Sequence, residues 1–403
     1  MSDMYQPGEI ATIHKYNSAD FTIMEEKLRH YSPDNPIALV LPALKADFFS
    51  DANKAIVKVL EGVDYIKEVV YSVGDFQTED ELRQARDLVK NVTGTTVTFL
   101  WTDGPRINAL LDVLSENGLH TGSRGKGKSA WLAYGYVLGR ADFASIVLHD
   151  CDVVTYDREF LARLCMPVTI PHFDYEFCKG FYGRFAGRLY GRVTRLFVFP
   201  LLETLLAALG PVHFLQYMAS FRYPLAGEFA MSTRIAQTVR IPSDWGLEVG
   251  TLAEVYRKCS TRRIGQIELC DRYDHKHQDL SPDDKTKGLY KMGIDIARSI
   301  FTSLANSGVD LESKLKVIQT AYLRNAEDMI RKYDADSYTN QLHFDRHKEE
   351  LAVETFCNAL KQAAENFMED PLGVPLIPNW SRVNAAIPDF YEQMLEAVRL
   401  DNS

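Results

Sequence analysis

The first 280 residues predict an α/β fold with a mostly parallel, doubly wound sheet, and two observations support this. Short runs rich in Val, Ile and Leu, bounded by polar segments, alternate with amphipathic stretches of helical periodicity. They alternate at the pitch of βα units, whose consecutive strands pair in parallel. From about residue 281 only amphipathic helical segments remain. We therefore predict an α/β unit, residues 1–280, and an α-helical extension, residues 281–403.

The predicted elements follow from these patterns. The strands are Ile37–Leu44, Tyr65–Ser72, Thr95–Trp101 and the apolar run from Ala144 to His149. The helices are Asp51–Leu60, Thr78–Val89, Asn108–Asn117, Lys128–Gly139, Leu196–Leu209, Tyr290–Ala305, Leu311–Tyr333, Arg346–Met368 and Ile387–Leu400. We expect the last four to pack on the α/β unit or to form a homodimer interface.

Composition and charge exclude several classes of protein. The 403 residues are 46% hydrophobic and 25% charged, as in ordinary globular proteins, and the net charge of −10 argues against nucleic-acid binding through bulk charge. Residues 1–20 are polar and lack the apolar stretch of a signal peptide, so we expect none. Leu196–Leu209 is too short to span a bilayer and contains Glu203. The six cysteines have no C-x-x-C spacing, which favours reduced thiols. We expect a cytoplasmic protein with no membrane partner.

Two acids, Asp150 and Asp152, follow the apolar run that begins at Ala144. Alternate residues of a strand point to the same side, and ligands bind at the carboxyl ends of strands in open α/β sheets. Two carboxylates there predict a site for Mg²⁺ or Mn²⁺. A pair of solvated loop acids is the alternative, since Asp-x-Asp is a common tripeptide.

Residues Gly122–Ser129 match the P-loop pattern G-x-x-x-x-G-K-S. The segment follows a predicted helix and loop instead of a buried strand, which argues against a nucleotide hydrolase. Glycines and lysines that open a helix can still bind a diphosphate through backbone N–H groups, with Lys126 or Lys128 neutralising its charge.

Three further segments carry weaker signals. His275 and His277 are spaced to share a metal or an anion, although most exposed His-x-His pairs are polar loops. Arg192 and Thr194 together suit a phosphate or carboxylate, and an ordinary surface ion pair is the alternative. Glu248, between two glycines, is either an acid in a pocket or the first turn of a helix.

In chain order, these segments resemble the retaining glucosyl-3-phosphoglycerate synthases, a family of glycosyltransferases with the GT-A fold. The resemblance covers about residues 37–280 and is more specific than any single motif. It rests on Leu41–Leu44, Gly125–Gly127, Asp150–Asp152, Gly191–Thr194, Pro224–Glu228, Gly246–Gly250 and His275.

The resemblance implies a nucleoside-diphosphate sugar as donor, UDP- or GDP-glucose, and 3-phosphoglycerate or a similar small acid as acceptor. For the donor site it implies that Asp152, Asp150 and His275 hold a metal and that Lys126 contacts the phosphates. It also implies that Pro42, Leu44 and Ser72 line the nucleoside and that Glu248 holds hydroxyls of the sugar. Its implied acceptor-site roles fall on Gly191, Arg192, Thr194, the carbonyl of Leu225 and the position of His277.

Two departures from the family pattern leave details open. The family has Asn-Glu-Glu after the first strand, whereas this chain has Lys45-Ala-Asp47, so the base stays open between uracil and guanine. The family's acceptor-binding Asn is replaced by His277, so the acceptor stays open between 3-phosphoglycerate and glycerate, and a mannosyl donor is a further alternative.

The expected reaction breaks an anomeric C–O bond and releases a nucleoside diphosphate. We find no convincing pair of carboxylates of the kind that retaining glycosidases use, so we expect front-face attack in which the acceptor's proton passes to the leaving diphosphate. A sugar-phosphate nucleotidyltransferase and a non-catalytic nucleotide-sugar-binding module are the alternatives.

Overall fold

The computed structural model describes residues 6, 8–16, 20–89, 95–274 and 280–403. Its strands are β1 Ala11–Ile13, β2 Ile37–Leu44, β3 Glu68–Gly74, β4 Thr96–Trp101, β5 Ser145–Leu148, β6 Phe177–Tyr182, β7 Phe229–Ser232 and β8 Ile264–Cys270. Its first helices are α1 Phe21–Tyr31, α2 Lys45–Phe48, α3 Asp51–Leu60, α4 Glu79–Val89, α5 Pro105–Glu116, α6 Lys126–Arg140, α7 Arg158–Thr169 and α8 Phe199–Leu209. The others are α9 His213–Ser220, α10 Thr233–Thr238, α11 Leu247–Lys258, α12 Gly288–Asn306, α13 Leu315–Thr339, α14 Arg346–Glu369, α15 Trp380–Ala386 and α16 Phe390–Asp401.

The eight strands form one sheet in the order β1-β8-β6-β7-β5-β2-β3-β4. Only β7 runs antiparallel, between β5 and β6, and every other pairing is parallel. The predicted α/β class with a mostly parallel sheet and a helical C-terminal region is therefore confirmed. The strands β1, β6, β7 and β8 were not among those predicted.

Buried side chains cover both faces of the sheet, which makes the chain a three-layer structure. Along β2 the side chains alternate: Ala38 and Val40 belong to one apolar cluster, whereas Leu39 and Leu41 belong to the other. Helices α1, α3, α4 and α7 pack on the second face. On the first face α6, α10 and α16 contact the strands, and α5, α8, α9 and the helices from α11 to α15 share the same apolar cluster.

The C-terminal helices share this core with the α/β unit. Trp380 of α15 is fully buried and stacks on Trp131 of α6, with ring centroids 4.2 Å apart. The Trp380 indole N–H donates to the carbonyl of Trp131 at 3.0 Å. Asn402 hydrogen-bonds both backbone groups of Phe99 on the edge strand β4, which covers an otherwise unpaired edge. The domain boundary near residue 280 stays a prediction.

No helix within the described residues is both long and apolar enough to cross a bilayer. All six cysteines are unbridged, and all except Cys357 are buried.

We predict that Trp380→Ala lowers the free energy of unfolding by about 3–5 kcal/mol, because it leaves a cavity against Trp131. Urea denaturation measures the change. Leu372→Ala, at a side chain that is 81% exposed, is the control and should change stability by less than about 0.5 kcal/mol. Equal effects of the two substitutions would contradict the packing of α15 into the shared core.

Candidate active site

A cavity of about 890 Å³ lies at the carboxyl ends of β2, β3, β4 and β5. This is the edge where ligands bind in open α/β sheets. The predicted site residues that line it are Pro42, Leu44, Lys126, Asp150, Asp152, Gly191, Arg192, Thr194, Leu225 and Glu248. Ser72 is not among the lining residues: it is fully buried, and its hydroxyl lies 2.8 Å from that of Ser129. Contact between Ser72 and a nucleoside stays a prediction.

Asp150 and Asp152 follow the end of a strand, as expected. The apolar run from Ala144 to His149 contains β5, Ser145–Leu148. The His149 side chain is buried and hydrogen-bonds the carbonyl of Asp150 and the hydroxyl of Tyr156. Both acids line the cavity.

Lys126 is the first residue of α6 and lies between two acids. Its Nζ is 2.7 Å from Oδ1 of Asp150 and 3.6 Å from Oε1 of Glu248. Burial alone would lower the pKa of Lys126, but the two carboxylates outweigh burial and raise the pKa above its ordinary value. We call these three side chains the lysine–carboxylate centre.

Packing explains the glycines of the P-loop-like segment. A Cβ on Gly125 would lie 2.6 Å from the carbonyl oxygen of Ser243, and one on Gly127 would lie 2.1 Å from that of Pro242. These contacts let α6 begin close against the 242–243 backbone. The segment follows α5 and a loop, as expected, and not a strand.

Glu248 satisfies both of the interpretations made from the sequence. It lies in the first turn of α11, and its side chain lines the cavity. The positive end of the helix dipole and Lys126 both stabilise its charge.

The loop between Tyr223 and Glu228 passes directly over the lysine–carboxylate centre. A Cβ on Gly227 would lie 2.7 Å from Oδ2 of Asp150 and 2.8 Å from Nζ of Lys126, so a larger residue would displace the ends of these two side chains. The buried ammonium of Lys179 donates to the carbonyl of Ala226 at 2.7 Å and fixes the loop from beneath.

Glu228 is held by two stacked tyrosines. The rings of Tyr182 and Tyr273 lie 3.7 Å apart, and each hydroxyl donates to one oxygen of Glu228 at 2.6 Å. Burial raises the pKa of Glu228, and the nearby charge of Asp150 raises it further.

The predicted acceptor residues Gly191, Arg192 and Thr194 lie where a loop leads into a π-helical turn, Val193–Val198. Gly191 has a φ of +71°, which only glycine adopts readily. Thr194 is 2% exposed and lines the cavity, and its hydroxyl has no hydrogen-bond partner among the described residues. Arg192 donates through Nε to Glu349 of α14 at 2.8 Å.

The cavity wall at the ends of β2, β3 and β4 holds the predicted nucleoside residues and a charged network. Arg124 lies 2.5 Å from Asp75 and 2.7 Å from Asp103. Asp47 also lines the cavity, so an acid remains near the strand end where the family's Asn-Glu-Glu is replaced. The predicted site residues His275 and His277 lie outside the described residues.

No protein-family model matches the chain. A glucosyl-3-phosphoglycerate synthase from Persephonella marina is 43% identical over 404 residues, covering 100% of both chains. A second, from Methanococcoides burtonii, is 37% identical and covers 99% of this chain and 98% of that protein.

The chain belongs to the glucosyl-3-phosphoglycerate synthase family. It is therefore an enzyme of the glycosyltransferase class. Both alignments extend on either side of residue 280, so these relatives have sequence that corresponds to the helical region.

Solved structures agree with the family at the level of the fold. A Mycobacterium tuberculosis glucosyl-3-phosphoglycerate synthase with Mg²⁺ and UDP has a TM-score of 0.51 at 22% identity, covering 75% of this chain and 88% of that one. A mannosyl-3-phosphoglycerate synthase from Rubrobacter xylanophilus has a TM-score of 0.52 at 19% identity, with coverages of 74% and 82%.

The cavity offers ligands that fit a divalent cation of the kind found in those M. tuberculosis structures. Asp150 and Asp152 supply hard oxygen donors at one wall. Mg²⁺ commonly binds one or two protein carboxylates together with substrate phosphates, so this number is sufficient. No group of three potential His, Cys, Asp or Glu ligands occurs within the described ranges, and His275 lies outside them.

Several residues of the site were not singled out from the sequence. Glu228 was quoted in the Pro224–Glu228 motif without a role, and Lys179, Tyr182 and Tyr273 carried no local signal. The helical extension contributes an apolar wall of Leu289, Met292 and Ile296, and Leu280 lies just before it.

Stability should depend on pH through Lys179. Burial lowers its pKa to about 8, against an ordinary value of 10.5. Between these values the unfolded chain holds one more proton than the folded chain, so stability attributable to Lys179 rises with pH. We predict that the stability of the wild type relative to Lys179→Met increases by about 1–3 kcal/mol from pH 8 to pH 10.

Urea unfolding of both proteins at the two pH values measures this, since other titrating groups cancel in the difference. A difference that is independent of pH would contradict the depressed pKa of Lys179.

Proposed function

We propose that this chain transfers glucose from a nucleoside-diphosphate glucose to 3-phosphoglycerate with retention of configuration, giving glucosyl-3-phosphoglycerate. The observation that carries the proposal is the 43% identity to the P. marina synthase over the full length of both proteins. The cavity supports it, because the cationic side chains of Lys126 and Arg192 line it and suit the anionic groups of a donor and an acceptor.

The donor occupies the strand-end half of the cavity in this proposal. Its nucleoside lies against Pro42 and Leu44, and its diphosphate lies beside Lys126 with a divalent cation held by Asp152 and Asp150. UDP-glucose is the proposed donor, since an M. tuberculosis synthase was solved with UDP-glucose, Mn²⁺ and phosphoglyceric acid. GDP-glucose is the competitor, because the residues after β2 depart from the family pattern.

The acceptor occupies the other half, where its phosphate and carboxylate meet Arg192, Thr194 and the backbone of Gly191. The buried Thr194 hydroxyl has no partner among the described residues and lines the cavity, as a ligand-binding group would. Arginine suits such acids because its planar guanidinium donates two parallel hydrogen bonds.

The chemistry follows from the charges. Negative charge grows on the diphosphate oxygen as the anomeric bond breaks, and Lys126 at the start of α6 stabilises it. When bound, a divalent cation supplies Lewis-acid stabilisation of the same charge. The carbonyl of Leu225 orients the acceptor hydroxyl, whose proton passes to the departing diphosphate.

Front-face attack is supported by the state of the nearby carboxylates. Both oxygens of Glu228 accept from tyrosine hydroxyls, and Glu248 lies 3.6 Å from Lys126. Neither group is arranged as a free nucleophile. Trapping of a covalent glycosyl-enzyme would contradict front-face attack.

The direct test incubates the enzyme with 3-phosphoglycerate and UDP-glucose, GDP-glucose or GDP-mannose, and then with glycerate in place of 3-phosphoglycerate. We expect UDP and α-linked glucosyl-3-phosphoglycerate as products, identified by NMR. EDTA should abolish turnover, and Mg²⁺ or Mn²⁺ should restore it. Release of pyrophosphate would indicate a nucleotidyltransferase instead, and absence of any transfer would refute the proposal.

We further predict that Asp152→Ala lowers kcat by at least about 10²-fold, because it removes a carboxylate from the donor site. Steady-state kinetics at saturating substrates measures the loss. Asp112→Ala, at an exposed position of α5, is the matched control and should retain activity. Full activity of Asp152→Ala would rule out its role with the donor.

A homodimer and a cytoplasmic location stay predictions.

A further inference from the structure

The C-terminal region contacts residues 187–195, which carry the predicted acceptor-binding residues, at three points. The backbone N–H of His343 donates to the carbonyl of Gly187 at 2.8 Å. Glu349, in the first turn of α14, bonds Arg192, and Tyr333 of α13 packs against Arg195. These contacts connect the helical extension to the proposed acceptor site as well as to the apolar core.

Glu349 is a buried carboxylate shared by two arginines. It is 4% exposed; its Oε1 accepts from Nε of Arg192 at 2.8 Å and its Oε2 from Nη2 of Arg195 at 2.9 Å. The N-terminal end of α14 also favours its negative charge. A buried carboxylate bonded through both oxygens has little freedom to move.

Arg195 is the second arginine that holds the Glu349 carboxylate. It does not line the cavity; its Nε donates to the carbonyl of Tyr190 at 2.8 Å, and its guanidinium lies 4.7 Å from the centroid of the Tyr333 ring. Arg195 is therefore fixed independently of Arg192. The chain of contacts runs from Tyr333 and Arg195 through Glu349 to Arg192 at the cavity wall.

Charge and geometry leave Arg192 able to bind an anion. Two guanidinium groups face one carboxylate, so the cluster keeps a net positive charge. The bond to Glu349 uses Nε of Arg192 and not the fork of its two Nη groups. The buried hydroxyl of Thr194 lies two residues further along the same wall of the cavity.

We propose that Glu349 is a positioning residue for the acceptor: it orients Arg192 so that its guanidinium meets the anionic groups of a small phosphorylated acid. The C-terminal helices thereby complete the acceptor site. This inference rests on the proposed function, in which Arg192 binds the acceptor.

The test is steady-state kinetics of Glu349→Gln with UDP-glucose and 3-phosphoglycerate each varied. Loss of the charge releases Arg192, so the KM for 3-phosphoglycerate should rise by about tenfold. The KM for UDP-glucose and the kcat at saturating acceptor should stay within about twofold of the wild type. Glu350→Gln is the matched control, since Glu350 is its exposed neighbour paired with Arg346, and it should change none of these constants.

A double-mutant cycle separates positioning from a general structural effect. If Glu349 acts through Arg192, Glu349→Gln should change the acceptor KM by less than about twofold in an Arg192→Ala background. An equal effect in both backgrounds would overturn the proposal. Thermal unfolding of each variant records stability, and Glu349→Asp, which keeps the charge but shortens the reach, serves if the Gln variant does not fold: it should raise the acceptor KM alone.

The outcomes distinguish this proposal from the one on which it rests. A wild-type enzyme that transfers no glucose to 3-phosphoglycerate would refute the proposed function. An active wild type whose acceptor KM is unchanged by Glu349→Gln or Glu349→Asp would refute the positioning role alone.

Discussion

The site depends on the ion pair between Lys126 and Asp150. It joins the first residue of α6 to the turn after β5, and Glu248 of α11 extends it to a third element. A cation between two carboxylates remains charged despite partial burial, because its partners outweigh the cost of desolvation. A larger residue at 227 would displace both side chains of this pair, since the loop that carries Leu225 passes within contact distance of them.

That loop shows how a buried polar layer supports a polar cavity. Lys179 and Glu228 lie beneath it, the first bonded to a backbone carbonyl and the second to two tyrosine hydroxyls. Buried polar groups with satisfied hydrogen bonds restrict the conformations of their neighbours. Lys179 and Glu228 thus restrict the loop that carries the Leu225 carbonyl, which is proposed to face the acceptor. Glu349 of α14 holds Arg192, which is proposed to bind the acceptor's anionic groups.

The fold was predictable where one local pattern decided the structure. Ile37–Leu44 is a continuous apolar run that became β2, and Asp51–Leu60 became α3 with the same bounds. The short strands β5 and β7, each of four residues, are buried on both faces and have no alternation from which to infer their ends. The motif residues around the cavity were identifiable from their order along the chain, whereas Glu349 was not, because it lies 157 residues from Arg192 and its helix reads as ordinary amphipathic sequence.

The central claim is that the acids after β5 receive a metal–diphosphate complex opposite Lys126. Crystals grown with MnCl₂ and UDP-glucose, measured at a wavelength where manganese scatters anomalously, test it most directly. The account predicts an anomalous peak within bonding distance of the Asp152 carboxylate, with the diphosphate between it and Lys126. A nucleotide bound elsewhere, or a manganese peak away from Asp150 and Asp152, would contradict it.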